Sequence, residues 1–243
     1  MKKTSAVLTM AAIAAVIVTS LALTGCGGAK PTKIVVAPGH KKQFIIDADM
    51  AVMVLDTPIV VYFGDLKKSI SFTNPPEDLP TEIALWNYFT DGFIRDAARE
   101  VDLTNVFMVD ARHDLRITRE VVRTSEEDIT VQVPELGTRF TFDDGVTPAL
   151  VLFMCQIRVG TETNPYFLER AEVGLNVAVS RRLVYIGSFV LWDNREFKPI
   201  SYGRVKTTLP IIREEATEAN WNEAMRNFVR TIFEPTGFLR RKR

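Results

Sequence analysis

Cysteine and histidine are scarce: Cys26, Cys155, His40 and His113 are all that the 243 residues contain. Two cysteines cannot build the cross-linked framework of a small secreted domain, and no Cys/His grouping has the spacing of a structural zinc site. An excess of one charge is missing too, since 30 Lys and Arg face 30 Asp and Glu. Without a strong basic field there is little to exchange for the counterions of nucleic acid, so no nucleic-acid partner is expected. Motifs of hydrolytic chemistry are absent as well. His113-Asp114 has neither a Gly-x-Ser-x-Gly elbow nor an activated cysteine to work with. Asp47 and Asp49 have no third ligand in register, and Asp143-Asp144-Gly145 lacks the spaced acids and distal glutamate of an EF-hand loop. No catalytic residue, metal site or dissociable cofactor is predicted.

What the chain does have stands at its start. Lys2 and Lys3 precede an uncharged run from Ala6 to Leu23, and Leu23-Thr24-Gly25-Cys26 follows. A short basic region, an apolar stretch and a small-residue junction are the parts of an export signal, so residues 1–25 are set aside from the fold. The junction resembles the bacterial lipobox. That resemblance implies cleavage before Cys26 and a diacylglycerol in thioether linkage to its sulfur, with a further acyl chain on the freed amine. Two or more chains make a stable anchor where one is marginal, each buried methylene contributing about 0.8 kcal/mol. Thr4 to Thr24 is also close to the roughly 20 residues of a membrane span. A span, however, does not call for cysteine directly after Leu-Thr-Gly. By the same resemblance, Gly27 in place of aspartate implies the periplasmic face of the outer membrane rather than the inner membrane.

Removing residues 1–25 takes away two lysines and no acid, leaving 28 basic against 30 acidic residues. The 218 residues from Cys26 onward suit a single domain with room for a substantial core. Residues 26–43, beginning with the lipid-bearing cysteine and Gly27-Gly28-Ala29-Lys30-Pro31, read as a tether; residues 44–234 read as the domain, and residues 235–243 as a basic tail. Cys155 sits inside an apolar run, where a thiol behaves as a small core residue.

Ordered structure is expected from Phe44 through Leu55, with Ile59–Phe63 as a buried central strand and Ser69–Phe72 as a short one. Asp78 is placed to cap a helix over about 78–99 whose Ile83, Trp86, Phe89 and Phe93 share a face; Gly92 predicts close packing or a break. Such an aromatic stripe is read as core, with a lipid cavity as the competing reading. Asn105–Val109 is a strand. Arg112 to Asp128 carries interspersed charges, a solvated face in the ordinary case. Its functional reading is a surface for a protein partner, with Arg112, Arg116, Arg119 and Arg123 as candidate contacts.

Further on, Ile129–Val133 and Thr138–Phe142 suggest a hairpin. A three-strand meander is expected from Ala149–Val159, Ala171–Val179 and Leu183–Trp192, with Ser180-Arg181-Arg182 as the turn before the last strand. Trp221, Met225, Phe228, Val229 and Ile232 trace the apolar face of a final helix. Two amphipathic helices and a sheet that needs cover predict an α+β two-layer sandwich, its sheet mixed or mainly antiparallel and its helices on one face.

With Ile59–Asp65, Val106–Asp110, Ala149–Phe153 and the closing helix, this order resembles bacterial lipoproteins of the TolB amino-terminal-like fold, among them penicillin-binding-protein activators and curli-secretion-type lipoproteins. It is similar also to auxiliary lipoproteins of ABC-type lipid transport. The resemblance covers about residues 44–234 and rests on element order. It implies a non-enzymatic accessory or docking role in an envelope assembly, cell-wall or transport machine. A lipid-binding auxiliary protein and a periplasmic enzyme with an unrecognised site are the alternatives.

Overall fold

The computed structural model describes residues 32–40, 48–55, 60–63, 73, 76–110, 116–123, 128–142, 145–163, 181–211 and 216–240. In chain order the elements are β1 (Lys33–Val36), β2 (Asp49–Val54), β3 (Val60–Phe63), α1 (Thr81–Glu100), β4 (Asn105–Val109), β5 (Ile117–Arg123), β6 (Asp128–Pro134), β7 (Leu150–Thr163), β8 (Arg181–Asp193), β9 (Lys198–Ile211) and α2 (Glu218–Phe233).

Seven strands form one mixed sheet in the order β1-β9-β8-β7-β2-β4, with β3 also paired to β7; β5 and β6 form a separate two-stranded ribbon. Strands β7, β8, β9 and β1 run antiparallel. Strand β2 lies parallel to both β4 and β7, and β3 lies parallel to β7 farther along. The expected α+β sandwich with a mixed sheet is what forms, and both helices pack on one face of it.

Alternation along the strands sorts side chains into two apolar groups. Met50, Val52, Leu152, Met154, Tyr185 and Phe189 face the helices and meet Phe89, Phe93, Trp221 and Phe228. Ala51, Met53, Val151, Phe153, Val190 and Trp192 point the other way and are covered by Val131 and Val133 of β6 and by Phe140. The sheet's second face is thus partly roofed by the ribbon.

Helix α1 forms where its apolar residues recur at helical spacing, burying Ala84, Leu85, Phe89, Phe93 and Ala97. Pro80 rather than Asp78 occupies its N-cap, with no side-chain cap bond. Gly92 neither breaks the helix nor marks a forced approach: an added Cβ would stand 3.6 Å from Met225, ordinary contact. Helix α2 starts at a reciprocal cap, in which the Thr217 hydroxyl accepts from the Asn220 N–H while the Asn220 side chain accepts from the Thr217 N–H.

Several expectations are corrected. Residues 33–36 belong to the sheet and not to a tether: β1 pairs with β9 from Lys33↔Arg204 to Val36↔Ser201. The ribbon joins β5 to β6, whereas residues 138–142 form no strand. Phe140 instead gives its N–H and C=O to Asn194, whose amide also donates to Pro148 O, so its backbone bonds go to a side chain and not to a ladder. Arg181 and Arg182 begin β8, opposite Thr163 and Glu162, and do not form a turn. The third meander strand is β9, unforeseen in the sequence; Ala171–Val179 lies outside the described residues, as do Ser69–Phe72 and Asp47. The expected tail is held at its start, where Leu239 bridges Val101 and Arg240 N donates to Glu100 O.

Candidate functional site

Cys26 and Arg112 lie outside the described residues. Of the other candidate contacts, Arg116 directly precedes β5 and Arg119 lies within it; both are exposed. Arg123 ends β5 opposite Asp128 in the register. A ribbon can be polar on one side because its other side supplies apolar contact, here through buried Val131 and Val133 of β6. Val131 stands opposite Glu120 and Val133 opposite Thr118, so Arg119, opposite Gln132, falls on the side turned away from the sheet.

The aromatic stripe of α1 is core. Phe89 and Phe93 are 1% and 0% exposed, stack with centroids 5.4 Å apart and present to the edge of Phe228 at 6.3 and 6.5 Å. Trp86 covers Phe89 at 6.1 Å. Cys155 is buried, as expected of a core thiol. His40 braces the C-terminal turn: its Nε2 donates to Thr236 O over 3.1 Å, and its ring meets Phe238 edge-on.

A cleft of about 440 Å³ opens beside the helices, bounded by Leu79, Tyr88, Asp91, Arg95, Glu218 and Asn222. Asn222 Oδ1 accepts from both the Tyr88 hydroxyl and Arg95 Nη2, each at 2.9 Å. Burial pushes the Tyr88 phenol up to about 12, so it is a proton donor to hydrogen bonds at neutral pH and not a base. Asp96 is 1% exposed, with Oδ1 3.3 Å from Arg95 Nε and Oδ2 without a hydrogen-bond partner among the described residues. Burial also raises the phenol of Tyr185. No grouping of three or more metal-ligating side chains occurs among the described residues.

One concentration of charge escaped sequence reasoning. Strand pairing aligns Arg204 with Lys33 and Ser188, Lys206 with Ile186 and Arg158, and Arg182 with Glu162. Alternation puts all five cations on the face away from the helices, because Ile34, Ile157, Val159, Leu183, Val205 and Leu209 between them face the helical core. Among the described residues Glu162 stands on this stretch, and its carboxylate takes Lys206 Nζ at 2.9 and 3.1 Å. Lys33 directly opposite Arg204 is a like-charge pair, an arrangement that ordinarily costs a sheet stability. Five cations drawn from four strands have no common spacing in sequence. Their one signal is local: Ile157-Arg158-Val159 and Arg204-Val205-Lys206 each alternate.

No protein-family model matches the chain, and no curated protein matches its sequence. Among solved structures, a PelC dodecamer from Paraburkholderia phytofirmans is similar over 85% of this chain and 95% of its own, at 8% identity and a TM-score of 0.32. A homologue of the neuraminyllactose-binding hemagglutinin from Helicobacter pylori is similar over 85% of this chain and 90% of its own, at 9% identity and a TM-score of 0.29. At such TM-scores neither likeness bears on function.

Proposed function

We propose that this chain is a lipid-anchored envelope protein that serves a larger assembly, cell-wall or transport machine as a non-enzymatic accessory or docking component. The observation that carries the reading is Leu23-Thr24-Gly25-Cys26 at the end of an uncharged run. Its element order, similar to that of envelope lipoproteins, points the same way. A partner would meet the exposed Arg116 and Arg119 of the ribbon, where charge complementarity favours an acidic surface.

The decisive measurement is mass spectrometry of the protein extracted from membranes of cells that express the whole chain. The expected result is an N-terminal peptide beginning at Cys26 with diacylglycerol on its sulfur. Cys26→Ser should leave the precursor uncleaved and unlipidated. An unmodified Cys26 in the wild type would refute the anchor. For the docking role, proximity cross-linking from the ribbon should recover one envelope partner, and reversing charge at Arg116 and Arg119 should abolish that product.

A further inference from the structure

We propose that the hollow at the tip of the β8–β9 hairpin, walled by Arg139 and Arg195, is a seat for the carboxylate of an acidic segment of the docking partner, one whose acid stands between apolar residues. The inference rests on the docking reading for the existence of a partner, and on the hairpin and the loops beside it for the site.

The hollow has a volume of about 340 Å³, and its walls include Arg139, Thr147, Pro148, Asn194, Arg195 and Phe197, with no acid among the lining residues. Arg139 and Arg195 are both exposed, and neither forms an ion pair or a side-chain hydrogen bond with a described residue. The acids of the hairpin tip are engaged elsewhere: Glu196 pairs with Lys198, and Asp193 Oδ1 accepts from Arg195 N and Glu196 N. One buried amide sets the walls. Asn194, 1% exposed, accepts from Phe140 N at 2.7 Å and donates to Phe140 O and Pro148 O, each at 2.8 Å. Arg139 precedes Phe140, Thr147 precedes Pro148 and Arg195 follows Asn194, so each of these polar walls is the chain neighbour of a group that the amide holds. Phe197 closes the hairpin tip at a φ of 56°, a left-handed conformation uncommon for a bulky residue, and Gly137 N donates to its carbonyl at 2.9 Å. Residues held in such conformations cluster where a site needs a particular side chain.

A second observation is apolar. Leu136 and Val146 are large apolar residues left 74% and 40% exposed, and they directly precede Gly137 and Thr147. Both therefore stand at the margin of the hollow. The ribbon adjoins the same loop, since Glu135 N donates to Arg116 O at 3.3 Å. A guanidinium presents paired N–H donors that match a carboxylate, and arginine and aromatic residues are enriched where proteins dock. An acidic side chain set between apolar ones meets both the arginines and the apolar margin.

The test uses the whole chain held in detergent and a library of random short peptides. Peptides selected for binding should carry Asp or Glu beside Leu, Ile or Phe. In fluorescence polarisation with a selected peptide, Arg139→Gln and Arg195→Gln should each weaken binding about tenfold, the equivalent of one hydrogen bond to a charged group. Arg99→Gln, at an exposed position of α1, should bind as wild type does. Because Arg139 and Arg195 are exposed, melting temperatures equal to that of wild type show that the variants fold. Failure to select any peptide, selected peptides without acids, or equal binding by the double arginine variant each overturns the proposal. The proximity cross-link from the ribbon reports on the docking reading separately. A cross-linked product that is lost on charge reversal at Arg116 and Arg119 but persists in the double variant leaves that reading standing and overturns the seat.

Discussion

Gly203 is where the structure makes its sharpest demand on one residue. Its φ of +152° is a conformation that L side chains rarely adopt, and an added Cβ would overlap the Lys33 carbonyl oxygen and lie 3.0 Å from Ile34 Cα. The obstacle is backbone, so no rotamer change relieves it. Gly203→Ala must therefore accept strain of about 1–3 kcal/mol or push β1 outward. Displacement forfeits ladder bonds on both sides of the Ile34↔Gly203 pair, at about 1 kcal/mol each. Together the loss should be about 2–4 kcal/mol, which for a domain of this size lowers the melting temperature by roughly 5–15 °C. Amide exchange locates the effect. The Ala37 N–H, bonded to Ile200 O at 2.8 Å, should lose protection first, while amides in β7 and β8 lose it only through global unfolding. A variant within about 0.5 kcal/mol of wild type, with Ala37 still protected, would refute the claim that β1 needs a residue without a side chain beneath it.

Other sites make contrasting predictions. Gly92→Ala should stabilise the protein by about 0.5–1 kcal/mol in urea unfolding, because the new methyl meets Met225 at ordinary contact distance and the helix gains propensity. Asn194→Ala should cost about 2–4 kcal/mol, since it strands Phe140 N, Phe140 O and Pro148 O in a buried position. Phe228→Ala, which removes a ring shared by Phe89, Phe93 and Tyr185, should cost about 3–5 kcal/mol by the same assay. Stability should also fall in alkali. The Tyr88 phenol is raised by burial to about 12, so between pH 10 and 12 the unfolded chain releases a proton that the folded one retains. The contribution is intact below pH 10 and lost as the pH climbs through 12; in Tyr88→Phe that share of the decline should vanish.

The sequence displayed its helices well because their stabilising pattern is local. The recurrence of Trp86, Phe89 and Phe93, and of Trp221, Met225 and Phe228, marks one apolar face each, although Ile83, expected on the same stripe, is 45% exposed. Strands β4, β7 and β8 were legible for a similar reason, each carrying an apolar run. Strand β9 was not. Pro199, Gly203 and Pro210 interrupt it, and two of them are tolerated for a tertiary reason: Pro199 stands beside a register shift opposite Trp192, and Gly203 packs against β1. β1 was hidden by brevity, four residues whose pairing with β9 spans most of the chain. β5 was hidden by charge, because a ribbon that turns one side to solvent can spend positions on residues such as Arg119. The basic face was invisible in principle, being a product of register between strands far apart in sequence.

The antiparallel seam between β1 and β9 also decides how the domain would respond to force. Tension applied upstream of Thr32 reaches the protein along β1, whose four residue pairs lie side by side with β9. A pull directed along the strand loads those bonds together in shear; a pull directed outward from the sheet edge opens them one after another, beginning at Lys33. The direction from which the leading segment departs therefore sets the mechanical strength of its attachment, a property that neither the core nor the helices control.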